Sequence, residues 1–99
     1  MELNETKRVY FAGIGGIGMA ALARYYLSLG LPVAGYDRTE SGLTRELHAE
    51  GAAVSYLDSM DAVPEEFRNA EGTLVVYTPA VPESNVPLSF FRNEGFEVR

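Results

Sequence analysis

The chain has 99 residues, no cysteine, 46% hydrophobic and 22% charged residues, and a formal net charge of −6. That is enough for one core of ordinary globular composition, with no disulfide framework or thiolate metal site and too little clustered basic charge for nucleic acid or an anionic membrane. No apolar run nears the ~18 residues of a membrane span, and Met1 to Arg8 lacks the apolar centre of a secretion signal, so a cytoplasmic protein is expected.

Val9-Tyr10-Phe11-Ala12 is an apolar run that enters Gly13-Ile14-Gly15-Gly16-Ile17-Gly18-Met19 and then Ala20-Ala21-Leu22-Ala23. The order is strand, tight turn, helix, and a continuously apolar strand is one covered on both faces. Gly13, Gly15 and Gly18 have the G-x-G-x-x-G spacing. In such a turn the first glycine allows the sharp bend, the second lets a ligand phosphate approach, and the third lets the helix press on the strand. The free amides of the helix start then face an anion with the positive end of the dipole. Asp37 follows Gly18 by 19 residues, at the end of Pro32-Val33-Ala34-Gly35-Tyr36. A dinucleotide-type fold places its ribose-binding carboxylate at that distance.

Gly30, followed by Leu31-Pro32, is a helix stop, and Gly51 and Gly95 repeat the pattern of helix cap and strand entry. A second helix is expected after Ser41, a plausible N-cap, with Leu43 and Leu47 toward the sheet and Arg45, Glu46 and Glu50 toward solvent. Ala53 to Leu57 reads as a third strand, and Asp61 to Phe67 as a turn of helix at most. Thr73 to Tyr77 reads as a central fourth strand. Pro79 and Pro82 stiffen the loop that follows. A last helix from Val86 to Glu94 presents Leu88 and Phe91 to the core with Phe90 beside them, and Phe96 to Val98 starts a fifth strand. The expectation is one α/β domain over residues 1–99: a Rossmann-like, doubly wound parallel sheet of order 3-2-1-4-5 in three α/β/α layers. The ligand crevice of such a sheet lies at the carboxyl ends of the strands, where the order reverses. That brings Gly13 to Met19, Asp37, Arg38 and Thr78 to Val81 to one border.

Several residues carry two readings. Asp37 is a ribose ligand or a turn residue before a helix. Arg38 stacks on a base or meets a phosphate, or is simply solvated. Thr78 offers its hydroxyl to a ligand or satisfies a strand-end carbonyl. His48, the only histidine, reads as a surface residue, Tyr25 and Tyr26 as packing residues, and Asp58, Asp61, Glu65 and Glu66 as a solvated face. No nucleophile with a base, no carboxylate pair and no metal-ligand cluster is readable, so no catalytic residue is assigned. There is no G-x-x-x-x-G-K-[ST] loop for an ATP triphosphate. A stand-alone NAD-binding or sensor domain remains open, because Asp37 would serve an adenosine ribose equally well.

Phe11-Ala12-Gly13-Ile14-Gly15-Gly16-Ile17-Gly18-Met19 resembles the opening motif of the Mur ligases, in particular their alanine-adding branch. Ala34-Gly35-Tyr36-Asp37 and Val76-Tyr77-Thr78-Pro79-Ala80-Val81-Pro82 resemble the next two landmarks of that family, so the likeness covers essentially the whole chain. It implies a three-domain cytoplasmic enzyme of peptidoglycan synthesis. Such an enzyme joins L-alanine to the lactyl carboxylate of UDP-N-acetylmuramate through an acyl-phosphate made with ATP and Mg2+. The first domain takes the UDP part, the second carries the ATP loop and the third admits the amino acid. Carried onto this sequence, the UDP-binding set is Gly13, Ile14, Gly15, Gly16, Ile17, Gly18, Met19, Asp37, Arg38, Thr78, Ala80 and Val81. The family's Gly-Thr-His-Gly-Lys-Thr-Thr loop is not among the 99 residues. The expectation is therefore the front part of a longer ligase that by itself catalyses nothing and holds no cofactor. The branch that recycles a tripeptide onto the same nucleotide sugar has a different glycine motif and is the lesser alternative.

Overall fold

The computed structural model describes residues 1–99. Its centre is β1, Arg8–Ala12, in which Val9, Tyr10, Phe11 and Ala12 have no exposed surface. Side chains alternate across a strand, so this one segment feeds two cores. Val9 and Phe11 pack with Ile14, Ala20, Ala23 and Leu47 on one face. Tyr10 packs with Val75, Phe67, Phe91 and Phe96 on the other.

The remaining strands are β2 (Val33–Tyr36), β3 (Ala53–Ser55), β4 (Thr73–Tyr77) and β5 (Glu97–Val98). All pair in parallel, in the order β3-β2-β1-β4-β5, as expected from the sequence. Helices α1 (Ile17–Ser28) and α2 (Gly42–Ala49) cover the Phe11 face. Helix α3 (Val86–Asn93) covers the Tyr10 face. Leu88 and Phe91 are fully buried in the core as expected, and so is Leu47, whereas Leu43 is half-buried. Gly30, Gly51 and Gly95 all have positive φ at the helix-to-strand corners.

Two expectations change. The third strand ends at Ser55 rather than Leu57. The Ser55 hydroxyl accepts the Leu57 amide at 3.3 Å, and this bond turns the chain out of the sheet and leaves Leu57 exposed. The crossover from β3 to β4 uses two 3-10 turns, Met60–Ala62 and Glu65–Arg68, separated by Pro64. They bury Ala62, Val63 and Phe67 and so do the covering work of a helix. The Tyr10 hydroxyl ties them to the centre by donating to the Ala62 carbonyl at 2.9 Å. Tyr26 packs at the edge of the Phe11 core as expected, but Tyr25 is 47% exposed and touches it only through the Tyr26 ring. No helix is long and apolar enough to cross a membrane.

Candidate functional site

The sheet order reverses between β1 and β4, and a cleft of about 510 Å³ opens there, at the carboxyl ends of the strands. Of the residues expected at the crevice, Gly13, Gly15, Gly16, Asp37, Arg38, Thr78, Ala80 and Val81 line it. Ile14 does not, because its side chain is fully buried in the Phe11 core. Ile17, Gly18 and Met19 form the first turn of α1 immediately beyond Gly16, with Ile17 87% exposed and Met19 packed against the core.

The glycine loop is fixed from within. Gly13 has φ +96°, a conformation L side chains rarely adopt, and a Cβ there would fall on the Thr78 methyl. Its amide and that of Ile14 both donate to the Tyr36 carbonyl, at 2.7 and 3.0 Å. The Gly15 amide donates to Asp37 Oδ2 at 2.8 Å, and the Gly16 amide to the Gly13 carbonyl at 3.2 Å. The next three amides, of Ile17, Gly18 and Met19, have no acceptor, and the N-cap Gly16 supplies no side-chain bond. The other two α-helices differ, since Ser41 caps α2 and Asn85 caps α3. So the α1 start alone leaves all three amides of its first turn to another group.

The third glycine corrects the expectation drawn from the motif. A Cβ at Gly18 would meet nothing within 4 Å. Helix α1 approaches the sheet through Ala20 and Ala23 instead, both buried.

Around the loop the charges are sparse. Seven of the eight lysines and arginines have ion-pair or hydrogen-bond partners within the chain; Arg38, in the cleft lining, is the one without. Both Asp37 oxygens are engaged, Oδ2 with Gly15 and Oδ1 with the Thr39 amide at 3.1 Å. Tyr36 is 6% exposed at the cleft, and its phenol is held above the usual range by burial first, then by Asp58 and Asp37. It is a neutral donor at physiological pH. At the opposite wall the Thr78 hydroxyl accepts the Ala80 amide at 3.4 Å. The strand-end carbonyl of Ala12 is satisfied by the Thr78 amide at 3.2 Å, not by the hydroxyl, so the reading of that hydroxyl as a carbonyl partner falls.

Five lining residues escaped the sequence reading: Tyr36, Thr39, Asp58, Pro82 and Asn85. Asn85 is 1% exposed; its Oδ1 accepts the Leu88 amide at 3.1 Å and its Nδ2 donates to Asp58 Oδ1 at 3.2 Å. Asp58 also accepts the Val86 amide at 2.7 Å. It therefore helps to cap α3 and is not part of a merely solvated face, whereas Asp61, Glu65, Glu66 and His48 are exposed as expected. An asparagine two residues before Pro87 is a readable N-cap signal. The Asp58 contact joins residues 27 apart and leaves no local trace.

The chain is similar to known proteins along nearly its whole length. The model of the Mur ligase family, catalytic domain, matches residues 8–99. The UDP-N-acetylmuramate–L-alanine ligase of Parabacteroides distasonis is 54% identical over 98 residues, covering 99% of this chain and 21% of that protein. The enzyme of the same name from Flavobacterium psychrophilum is 46% identical over 99 residues, covering 100% of this chain and 22% of that protein. Among solved structures, UDP-N-acetylmuramate-alanine ligase from Thermotoga maritima superposes with a TM-score of 0.79 at 32% identity, over 92% of this chain and 20% of that one. The chain thus spans about a fifth of the length of the curated relatives it matches. A five-stranded parallel sheet of this order, a glycine loop at its switch point and a family match from Arg8 to Arg99 agree: the chain belongs to the Mur ligase family.

Proposed function

We propose that these residues are the part of a UDP-N-acetylmuramate–L-alanine ligase that seats the uridine diphosphate end of UDP-N-acetylmuramate. The observation that carries this is a set of unpartnered donors at the cleft and next to it: the Arg38 guanidinium in the lining, and the Ile17, Gly18 and Met19 amides on the turn that directly follows the lining residue Gly16. In a chain of net charge −6, an anionic ligand is held only where local donors outweigh the overall field. A helix start with nothing in front of it supplies that for a diphosphate. Gly13, Gly15 and Gly16 form the floor under the ligand, Arg38 meets the uridine side, and Thr78, Ala80 and Val81 wall the sugar side. Ile14 enters this reading only as the core residue beneath the loop.

The whole protein in this reading ligates L-alanine to the lactyl carboxylate with ATP and Mg2+, in the cytoplasm. In this reading ATP and Mg2+ are held by the rest of the protein; the sequence has no G-x-x-x-x-G-K-[ST] loop. No step through ATP or Mg2+ is therefore assigned to these residues, and their contribution is to bind and orient.

An amide-shift titration with UDP, UDP-N-acetylmuramate and NAD in parallel tests the reading. About −0.3 kcal/mol per non-hydrogen atom limits a ligand the size of UDP to low micromolar affinity, and a cleft open on one side should reach roughly 0.1–1 mM. The expected shifts centre on Ile17, Gly18, Met19 and Arg38, and Arg38→Ala should weaken UDP about tenfold, the scale of one charge-assisted hydrogen bond. Tighter binding of NAD at the same amides would replace this reading with that of a dinucleotide-binding domain.

A further inference from the structure

We infer that Asp37 is a positioning residue that serves the nucleotide through the glycine loop, and not a ligand of the ribose. The inference rests on the uridine-diphosphate reading of the cleft. Its basis is the geometry of one carboxylate. Asp37 Oδ2 accepts the Gly15 amide at 2.8 Å, across 22 residues of chain, and Oδ1 accepts the Thr39 amide at 3.1 Å. The first bond fixes the loop and the second fixes the carboxylate that holds it.

Gly15 is clamped from both sides. A Cβ there would lie 2.7 Å from Asp37 Oδ2 and 2.8 Å from the Thr44 methyl. Thr44 is itself fully buried, with its hydroxyl bonded to the Ser41 carbonyl and to the Tyr56 hydroxyl. The absence of a side chain at Gly15 is thus accounted for by the approach of Asp37 and Thr44, with no phosphate needed to explain it.

The consequence lies one turn further along. With the Gly13 to Gly16 amides all engaged inside the protein, the direction of the Ile17, Gly18 and Met19 amides is set before any ligand arrives. Preorganised donors bind an anion without the entropy cost of ordering them. A carboxylate bonded in this way directs its charge at the loop amide, while the free amides of the α1 start are left to the diphosphate.

The test pairs Asp37→Ala and Asp37→Asn with UDP and 2′,3′-dideoxy-UDP, in the 99-residue chain. A positioning role predicts that Asp37→Ala loses the same factor, about tenfold, for both nucleotides. Asp37→Asn, whose amide oxygen can still accept the Gly15 amide but whose NH2 then faces the Thr39 amide, should lose less than Asp37→Ala, about threefold, and equally for both nucleotides. A ribose ligand predicts instead that Asp37→Ala loses affinity for UDP and none for the dideoxy compound; that result, or no loss for either, overturns the inference. A second measurement needs no nucleotide. Hydrogen exchange at the Gly15 amide should accelerate at least tenfold in Asp37→Ala and recover in Asp37→Asn, with the Phe11 and Val75 amides unchanged as the fold control. Unaltered exchange at Gly15 would overturn the loop-holding role on its own. Failure of the parent chain to bind UDP would instead strike the uridine-diphosphate reading, a result distinguishable from either.

Discussion

Replacing Gly18 by alanine separates what the glycine motif does for folding from what it does for a ligand. Nothing lies within 4 Å of a Cβ at Gly18, and its φ is not positive. Alanine is the better helix former by about 0.5–1 kcal/mol in a helix interior, so in the first turn a gain of about 0.5 kcal/mol is expected. For a domain of this length that raises Tm by roughly 2–4 °C. Gly13→Ala is the contrasting change. It requires positive φ of a residue with a Cβ and drives that atom into the Thr78 methyl, with Val81 Cγ2 only 3.2 Å away. Strained backbone and overpacking each cost roughly 1–3 kcal/mol. A total near 3 kcal/mol is a large share of the roughly 5–15 kcal/mol expected for the fold, and Tm should fall by about 12–24 °C. Urea and thermal unfolding followed by far-UV circular dichroism measure both. A Gly18→Ala variant destabilised by more than about 1 kcal/mol, or a Gly13→Ala variant as stable as the parent, would refute the packing argument. If Gly18→Ala folds as expected and still loses UDP, the glycine is kept for the ligand alone.

Asn85→Ala should cost about 2 kcal/mol in urea unfolding, the upper end for an N-cap, because the Leu88 amide it satisfies is buried. Asn85→Asp, an equally good cap on an open surface, should be worse than Asn85→Ser, since the new carboxylate would face Asp58 in place of the 3.2 Å hydrogen bond. The Tyr10 phenol is raised well above its ordinary value, first by burial and then by Tyr36. The unfolded chain therefore ionises near pH 10 while the folded one stays neutral, so Tyr10's contribution is intact below pH 10 and is lost as pH rises above it. Tyr10→Phe should lower stability by about 1 kcal/mol at neutral pH through the lost bond to the Ala62 carbonyl. It should also flatten the alkaline limb of the stability profile; an alkaline limb of unchanged slope would contradict the assignment.

The strand order was readable because apolar runs mark β1 and β4, glycine corners at Gly30, Gly51 and Gly95 mark the entries to β2, β3 and β5, and short parallel connections leave few topologies. Where the reading failed, a distant partner decided. β3 looks two residues longer in sequence because Tyr56 and Leu57 continue its apolar pattern. Yet the Tyr56 hydroxyl is spent on Thr44 at 2.8 Å, and the Ser55 side chain has already turned the chain. Asp58 looks solvated beside Ser59 and Asp61 in sequence, and only the docking of α3 gives it the Val86 amide to cap. The Thr78 hydroxyl was ambiguous for the same reason. Which group satisfies the Ala12 carbonyl depends on the register of β1 against β4, and that register gives the bond to the Thr78 amide.

The glycine motif itself was legible as a phosphate-type turn, but its letters conceal a division of labour that only a full account of the amides reveals. Its first four residues bond inward, to the end of β2 and to one another. Those bonds turn the chain so that the next three amides point out of the α1 start unpaired. The end of β2 is therefore the scaffold of the loop as much as the far wall of the cleft: the Tyr36 carbonyl holds two amides and the Asp37 carboxylate holds a third. A sequence search that credits Asp37 with the ribose sees the right residue at the right distance, because the spacing that would bring a carboxylate to a ribose also brings it to the second glycine. The Gly15 and Thr39 amides occupy one acceptor site on each carboxylate oxygen, a carboxylate has about four, and so the comparison of UDP with its dideoxy analogue is what separates the two roles.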